Sequence, residues 1–443
     1  MSKSRKLGLF DLTMIVVSLT IGMGIFRTPV TVAAKTGTPS LFFLAWFLGG
    51  LIALCGALTY AEIGSRYPVV GGYYKIFSYG YHPSFAFAVN CIILVSNAGS
   101  TAAVAVIGTE YIGHFFYEGK TPVIFKEGVT IGVVAIFYVI NMLGLKMSSR
   151  VQNALILVKI TLIAILLVSV AGHFPVNVPP SGPAAAPLPD RGFFDLLKAL
   201  GIGLIAVSFT YGGYQQSINF GGEVREPARI VPRGIGFGIA IILLLYLSLN
   251  FVYVQVIGFE NLKTADSIAA ILIKHLFGPT GENILRVGMF LSVLAYVNVL
   301  LMSNPRVMYA MSEEGILPAA FKKKTKKHDV ILWSLTTFSL VIIITLLFSS
   351  TVERIINYTI FLDSIGMSTS AATIFILRRR KIGEQENIYR MKFFPIMPLI
   401  FILAYISVAI SIVIDDPASG AYGALIFGGF FVLYFVARFL RRT

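Results

Sequence analysis

The chain has 443 residues, of which 56% are hydrophobic and only 13% are charged, and its mean hydropathy is +0.81. Soluble domains carry about 25% charged residues, so this composition excludes an ordinary soluble globular protein. The net charge of +15 would suit a nucleic-acid binder. Its basic residues are spread between long apolar runs, however, and we predict no nucleic-acid partner.

The apolar runs have the length that crosses a lipid bilayer. A run of about 20 apolar residues spans the hydrocarbon core as a helix. The sequence therefore predicts an all-α membrane protein with one transmembrane domain over residues 1–443. Its twelve expected helices lie near residues 11–34, 41–64, 83–112, 127–145, 152–172, 194–220, 233–258, 283–312, 330–350, 354–377, 394–414 and 419–437.

The distribution of basic residues predicts how the chain crosses the membrane. Of the 36 Lys and Arg residues, 25 fall on the side of the N-terminus, 10 fall on the opposite side, and Lys159 falls inside a span. Cytoplasmic loops carry the excess of basic residues. We therefore predict a multi-pass protein of the plasma or inner membrane with both termini in the cytoplasm.

The cysteines and histidines argue against metal binding and enzyme chemistry. Cys55 and Cys91 both fall within predicted spans, so we expect no disulfide-linked partner. The five histidines are scattered, and no set of side chains resembles a zinc site or a nucleophile with its base. We therefore predict no metal, no cofactor and no enzymatic activity.

Two of the predicted spans contain glycines near the middle. The first span carries Gly22-Met23-Gly24 followed by Pro29, and the sixth carries Tyr211-Gly212-Gly213 followed by Gly221-Gly222. Glycine inside a helix is less favourable than alanine by about 1 kcal/mol, so these spans can unwind there. Close packing of helices through small residues is the alternative.

The position of the two interrupted spans favours unwinding, because they are five helices apart. Paired interrupted helices at matching positions of two halves are typical of inverted repeats. We predict two repeats of five helices, over about 11–172 and 194–377, followed by helices 11 and 12 over about 394–437.

Four motifs follow one another along the chain. They are Ile21–Phe26 with Pro29, Ala61-Glu62 with Pro68 and Gly71–Tyr73, Phe209–Gly213 running into Gly222–Pro227 and Pro232-Arg233, and Arg306 with Tyr309–Met311 and Gly315–Pro318. In this order they resemble the amino acid–polyamine–organocation superfamily of permeases, nearest to its branch of L-type and basic amino acid exchangers. The resemblance implies a LeuT-type fold with breaks in helices 1 and 6, which works by alternating access.

The two breaks are where we expect a substrate to bind. The carboxylate of an amino acid can accept hydrogen bonds from amides at the N-terminal end of the half-helix after the first break. Its ammonium can donate to carbonyls freed at both breaks. The expected binding residues are Thr20, Ile21, Gly22, Met23, Gly24 and Ile25 in the first span and Phe209, Tyr211 and Gly212 in the sixth.

Two of these residues have a further meaning in the resemblance. Phe209 matches the aromatic gate that closes over bound substrate, with a lipid-facing or core aromatic as the alternative. Met23 stands where the family usually has serine, and its unbranched thioether would narrow the pocket or favour an apolar substrate. Family substrates also include amines without a carboxylate, so the substrate class stays open.

Lys159 lies about eight residues into the fifth span, in an otherwise apolar run. Ionisable residues inside a membrane are functional candidates by default. The resemblance implies that its ammonium takes the place of a sodium ion found in related transporters, where it would hold helix 1 against helix 8. The alternative is that the side chain reaches back to the cytoplasmic surface.

Asp363 lies about ten residues into the tenth span, at a depth comparable with that of Lys159 in the other repeat. We hypothesise that its carboxylate accepts a proton during transport or pairs with another group near the site. A structural aspartate, hydrogen-bonded to nearby Ser or Thr hydroxyls, is the alternative.

These features predict a sodium-independent secondary transporter of amino acids, which works in the lipid bilayer by exchange or by proton-coupled uptake. Its partner would be a small amino acid substrate. Two alternatives stay open. One is an amine or polyamine transporter of the same fold, which would need an acidic pocket such as Asp363 offers. The other is a membrane sensor that binds amino acids without moving them.

Overall fold

The computed structural model describes residues 6–22, 24–117, 121–170, 192–265, 268–348, 352–384, 387–415 and 417–440. Within these ranges every regular element is a helix, and extended chain pairs only at two isolated bridges, Leu7 with Val224 and Val70 with Phe220. The prediction of an all-α protein is confirmed.

The helices follow the apolar runs of the sequence. In chain order the α-helices are α1 (Leu9–Thr20), α2 (Gly24–Thr36), α3 (Pro39–Arg66), α4 (Gly72–Gly80), α5 (Pro83–Gly113), α6 (Val123–Met142), α7 (Leu145–Val170), α8 (Phe193–Tyr211), α9 (Pro227–Ile257), α10 (Phe259–Leu262), α11 (Ile268–Glu313), α12 (Leu332–Phe348), α13 (Val352–Arg379), α14 (Ile396–Asp415) and α15 (Pro417–Leu440). Short 3₁₀ helices cover Tyr214–Asn219, Gly221–Glu223 and Ala319–Lys322.

The length and hydropathy of these helices identify a protein that crosses a membrane several times. In the described chain, seven single helices are long and apolar enough to span a bilayer, and α1 with α2 adds an eighth across a bend of 42°. On the outer face of α9, the side chains of Phe237, Leu244 and Phe251 are more than half exposed. Such apolar surface suits lipid rather than water. The count of twelve spans stays a prediction.

The first and sixth predicted spans are both interrupted. α1 ends at Thr20 and α2 begins at Gly24. α8 ends at Tyr211, and the chain continues through two residues into the 3₁₀ helix Tyr214–Asn219. The last carbonyls of α1 and α8 therefore have no donor within their own helix. Inside a membrane, such groups need partners from the rest of the protein.

Helices that lie five predicted spans apart pack against one another. α2 contacts α8, α3 contacts α9, α5 contacts α11, and α6 contacts α12. Two similar repeats that face each other would produce pairings of this kind. The division into repeats stays a prediction.

A buried ion cluster fastens α3 to α13. The carboxylate of Glu62 is fully buried, and it accepts hydrogen bonds from Arg66 Nε at 2.9 Å and from Arg378 Nη2 at 2.6 Å. The backbone N–H of Met391, between α13 and α14, donates to the same carboxylate at 2.9 Å. Three parts of the chain therefore converge on one side chain. A buried charge of this kind is stable only while its partners remain.

We expect Glu62→Gln to destabilise the protein strongly, because a neutral amide leaves two guanidinium groups without their counter-charge. Removing one partner of a buried ion pair lowers the free energy of unfolding by about 3–5 kcal/mol. Glu384→Gln is the matched control, since Glu384 pairs with Arg390 at the surface, where an ion pair contributes about 0–1 kcal/mol. Apparent Tm values in one detergent should fall by several degrees for Glu62→Gln alone. Equal Tm values for the two variants would contradict this role.

Candidate functional site

The first break holds most of the predicted binding residues. Thr20, Ile21 and Ile25 are buried, whereas Gly22 and Gly24 are partly exposed. Met23, the predicted binding residue between these two glycines, lies outside the described residues. Because glycine has no side chain, the backbone at Gly22 and Gly24 is not covered by side chains of its own.

The second break holds the remaining predicted residues. Tyr211 is buried at the end of α8, and Gly212 is partly exposed. Gly213 has a φ of +106°, and its N–H donates to Gln215 Oε1 at 2.9 Å. The backbone of Phe209 belongs to α8, but its side chain lies outside the described part of the chain, so its role as a gate stays a prediction.

The two breaks pack directly against each other. A Cβ atom on Gly24 would lie 2.9 Å from Thr210 Cγ2, and a Cβ atom on Gly213 would overlap the carbonyl oxygen of Leu19. Thr210 Oγ1 also donates to Thr28 Oγ1 of α2 at 2.8 Å. The structure thus brings the predicted residues of both spans together. Only glycine permits this close approach.

Lys159 reaches the first break from α7. Its side chain is only 1% exposed, and its ammonium donates to the carbonyl of Ile21 at 2.5 Å. The alternative that this side chain extends to the cytoplasmic surface is therefore wrong. A charge-assisted hydrogen bond is stronger than a neutral one. Lys159 is therefore a strong donor to the carbonyl of Ile21, which lies just past the C-terminal end of α1.

A polar network beside Lys159 was missed by sequence reasoning. The side-chain amide of Gln152 on α7 donates to Ser18 Oγ on α1 and, at 3.0 Å, to the Ala295 carbonyl on α11. Asn298 on α11 donates to Gln152 Oε1 at 2.7 Å. Gln152 therefore joins α1 to α11. Its signal in the sequence is its position seven residues before Lys159, which places both on one helix face.

Tyr246 of α9 also serves both breaks, and no pattern in the sequence indicated it. Its hydroxyl donates to the carbonyls of Thr20, at 3.3 Å, and Thr210, at 3.2 Å. The whole residue is buried. A tyrosine in an apolar run is ordinary, so its two acceptors become visible only in the folded chain.

Asp363 lies in the interior of α13 and is partly exposed. Among the described residues, no basic side chain forms an ion pair with it. The phenol of Tyr296, which interacts electrostatically with Asp363, lies 3.7 Å from where a Cβ of Gly22 would be. Asp363 and the first break therefore have Tyr296 as a common neighbour. Its other electrostatic partners are the phenols of Tyr73, Tyr214 and Tyr405.

These groups define what the site can bind. It offers partly exposed backbone at two glycine-rich breaks, one buried ammonium and one interior carboxylate. No cluster of metal-ligating side chains occurs among the residues that the structure describes. Backbone donors and acceptors of this kind suit a small solute that carries both a carboxylate and an ammonium group.

Comparison with known proteins agrees with this chemistry. A model of the family described as amino acid permease matches residues 7–436. The serine/threonine exchanger SteT of Bacillus subtilis (strain 168) is 28% identical over 431 residues, which cover 95% of this chain and 94% of that protein. The human cystine/glutamate transporter is 26% identical over 434 residues, covering 95% and 83%. The branched-chain amino acid permease BcaP of Bacillus subtilis (strain 168) is 28% identical over 360 residues, covering 76% and 74%.

The match extends from Leu7 on the N-terminal side of α1 to Val436 in α15, and so includes both breaks and the helices that support them. The proteins that it resembles are transporters rather than enzymes. The chain therefore belongs to the amino acid permease family of the amino acid–polyamine–organocation superfamily, as a membrane protein that passes several times through the bilayer.

Proposed function

We propose that this protein is a sodium-independent secondary transporter of amino acids, which works by alternating access through exchange or proton-coupled uptake. The observation that carries the proposal is the bond from the Lys159 ammonium to the carbonyl of Ile21 at the first break. A fixed cation there would repel a second cation strongly in a low-dielectric interior. Transport would then need no sodium ion.

The binding mode rests on the backbone at the two breaks. The carboxylate of the substrate would accept from the amides of Met23, Gly24 and Ile25, at the positive end of α2. Its ammonium would donate to carbonyls at the first break, from Thr20 or Ile21, and to that of Phe209.

The protein's own bonds to the first-break carbonyls are compatible with this mode. The carbonyl of Thr20 accepts from Tyr246, and that of Ile21 accepts from Lys159. A carbonyl oxygen has two lone pairs, so that of Ile21 can accept a second hydrogen bond from substrate. The carbonyl of Thr20 also accepts from the N–H of Gly22 at 2.9 Å, and it can bind the ammonium only by exchanging one of its two bonds. The gate role of Phe209 and the effect of Met23 on substrate size belong to the same proposal.

The architecture that we propose has twelve spans, with two inverted repeats of five helices and both termini in the cytoplasm of the plasma or inner membrane. The contacts between α3 and α9 and between α5 and α11 support the repeats. The excess of basic residues in the segments predicted to be cytoplasmic supports the orientation.

We expect the purified protein to take up radiolabelled amino acids when it is reconstituted in liposomes. The panel would include serine, threonine, cystine, glutamate and the branched-chain amino acids, because relatives are named for these substrates. Replacing sodium with potassium should leave the rate unchanged, and protein-free liposomes are the control. A sodium requirement would contradict the proposal. Uptake of amines alone would favour an amine transporter, and binding without uptake would favour a sensor.

Lys159→Met should reduce uptake by about 10- to 100-fold, because it removes a charged donor from the Ile21 carbonyl at the break. Hydrogen bonds to charged groups contribute about 1.5–3 kcal/mol, and each 1.4 kcal/mol corresponds to an about tenfold change in an equilibrium constant. Lys198→Met is the control, since Lys198 is exposed on α8. Initial rates would be compared at equal amounts of folded protein. Normal, sodium-independent uptake by Lys159→Met would rule out its role.

Asp363→Asn tests proton coupling, for which we propose Asp363 as the proton acceptor. The amide keeps the size of the carboxylate but cannot take up a proton. We therefore expect the variant to lose stimulation by an inward proton gradient while it still exchanges internal for external substrate. Asp329→Asn is the control, because Asp329 is exposed in the segment before α12. Unchanged transport with unchanged pH dependence would assign Asp363 a structural role instead.

A further inference from the structure

We propose that a basic patch beside the start of α12 binds the anionic headgroups of membrane lipids. The patch consists of six exposed cations from two segments that are far apart in the sequence, which are Lys146, Arg150, Lys322, Lys323, Lys326 and Lys327. Clusters of Lys and Arg next to a membrane span attract lipids with negatively charged headgroups. The proposal concerns the bilayer around the protein, and it does not depend on which solute the protein transports.

The loop before α12 is closed on itself by hydrogen bonds. The N–H of Thr325 donates to the carbonyl of Val330 at 2.9 Å, and the N–H of Val330 donates to Thr325 Oγ1 at 3.1 Å. Lys326 and Lys327 lie between these two residues, at the tip of the closed loop. The preceding Lys324 lies over the ring of Tyr309, with its ammonium 5.1 Å from the ring centroid. A binding surface that is already ordered loses less conformational freedom when it binds.

The turn between α6 and α7 packs against the same loop. Gly144 in this turn has a φ of +93°, and a Cβ atom on it would lie 2.9 Å from the carbonyl oxygen of His328. Lys146 and Arg150 follow within the first two turns of α7, and both are exposed. The fold therefore places the cations of the two segments at the same end of the molecule.

The basic patch has no acidic partner among the residues that the structure describes. None of its six cations forms an ion pair there, and Asp329 is the one acidic residue in the loop 321–330. Basic residues elsewhere do have partners, as in the pairs Lys75 with Glu314, Arg306 with Glu223 and Arg390 with Glu384. Neighbouring like charges repel one another, so anions from outside the protein would stabilise the patch.

The outer face of α12 places these cations at the depth of the lipid headgroups. Trp333, Leu340, Ile344 and Leu347 are each more than half exposed, and their spacing puts them on one side of the helix. Tryptophan is enriched at the boundary between headgroups and hydrocarbon, and Trp333 is the second residue of α12, next to the basic loop. Cations that continue into an apolar face fit a molecule with an anionic head and apolar tails better than a soluble anion.

Trp333 can report which lipid lies beside the patch, because the chain has two tryptophans and the other, Trp46, is buried. The protein would be reconstituted in phosphatidylcholine bilayers that contain a fixed fraction of brominated phosphatidylglycerol or of brominated phosphatidylcholine, since bromine quenches nearby tryptophan fluorescence. We expect the brominated phosphatidylglycerol to quench the wild type more strongly. High salt should weaken this preference, because it screens exposed charges. Trp333→Phe gives the background from Trp46.

Lys326→Gln combined with Lys327→Gln should lower the relative binding constant for phosphatidylglycerol at Trp333 by about tenfold, since each basic residue near an anionic surface contributes up to about fivefold. Arg379→Gln combined with Lys381→Gln is the matched control, because it removes the same charge from exposed residues at the end of α13. This control and Lys326→Arg combined with Lys327→Arg should both keep the preference. Equal quenching of the wild type by the two lipids would overturn the proposal, as would a preference that survives the two Lys→Gln changes.

Discussion

A backbone carbonyl inside a bilayer needs a donor from the protein, and the structure around the two helix breaks follows from this requirement. α1 and α8 both end in the interior, where their last carbonyls have no helical partner. Lys159 of α7 donates to Ile21, and Tyr246 of α9 donates to Thr20 and Thr210. Unbroken neighbours thus supply the donors that broken helices lack. The two breaks also pack against each other, at Gly24 with Thr210 and at Gly213 with Leu19. The stability of one break therefore depends on the position of the other.

Polar contacts elsewhere differ in how easily they can rearrange. Gln152 joins α1 to α11 through neutral hydrogen bonds, which can be exchanged one at a time at modest net free energy. Glu62 joins α3 to α13 through buried charges, which cannot be separated without leaving a charge unpaired. Movement of α1 against α11 is therefore opposed less strongly than movement of α3 against α13. The alternating access proposed above would be compatible with one adjustable contact beside one firm contact.

The charges in the interior are suited to a substrate that is neutral overall. Lys159 donates to the Ile21 carbonyl at the first break. Asp363 interacts electrostatically with Tyr296, whose ring packs beside Gly22 at the same break. One basic and one acidic side chain would complement the two charges of the zwitterionic substrate proposed above. The surrounding tyrosine phenols can donate hydrogen bonds but carry no charge of their own. Substrate selection would therefore depend mainly on backbone geometry and on the size of the gap.

The sequence by itself determined the features that depend on local composition. Long apolar runs predicted helices, paired glycines predicted where two of them end, and an isolated Lys159 indicated a candidate functional position. Tertiary structure alone decided which groups meet at those places. Tyr246 is one of 20 tyrosines, and 226 residues separate it from Thr20. Gln152 is likewise 143 residues from Ala295. Helix propensity and hydropathy act over a few turns, whereas these hydrogen bonds depend on how distant helices pack, and no local pattern encodes that.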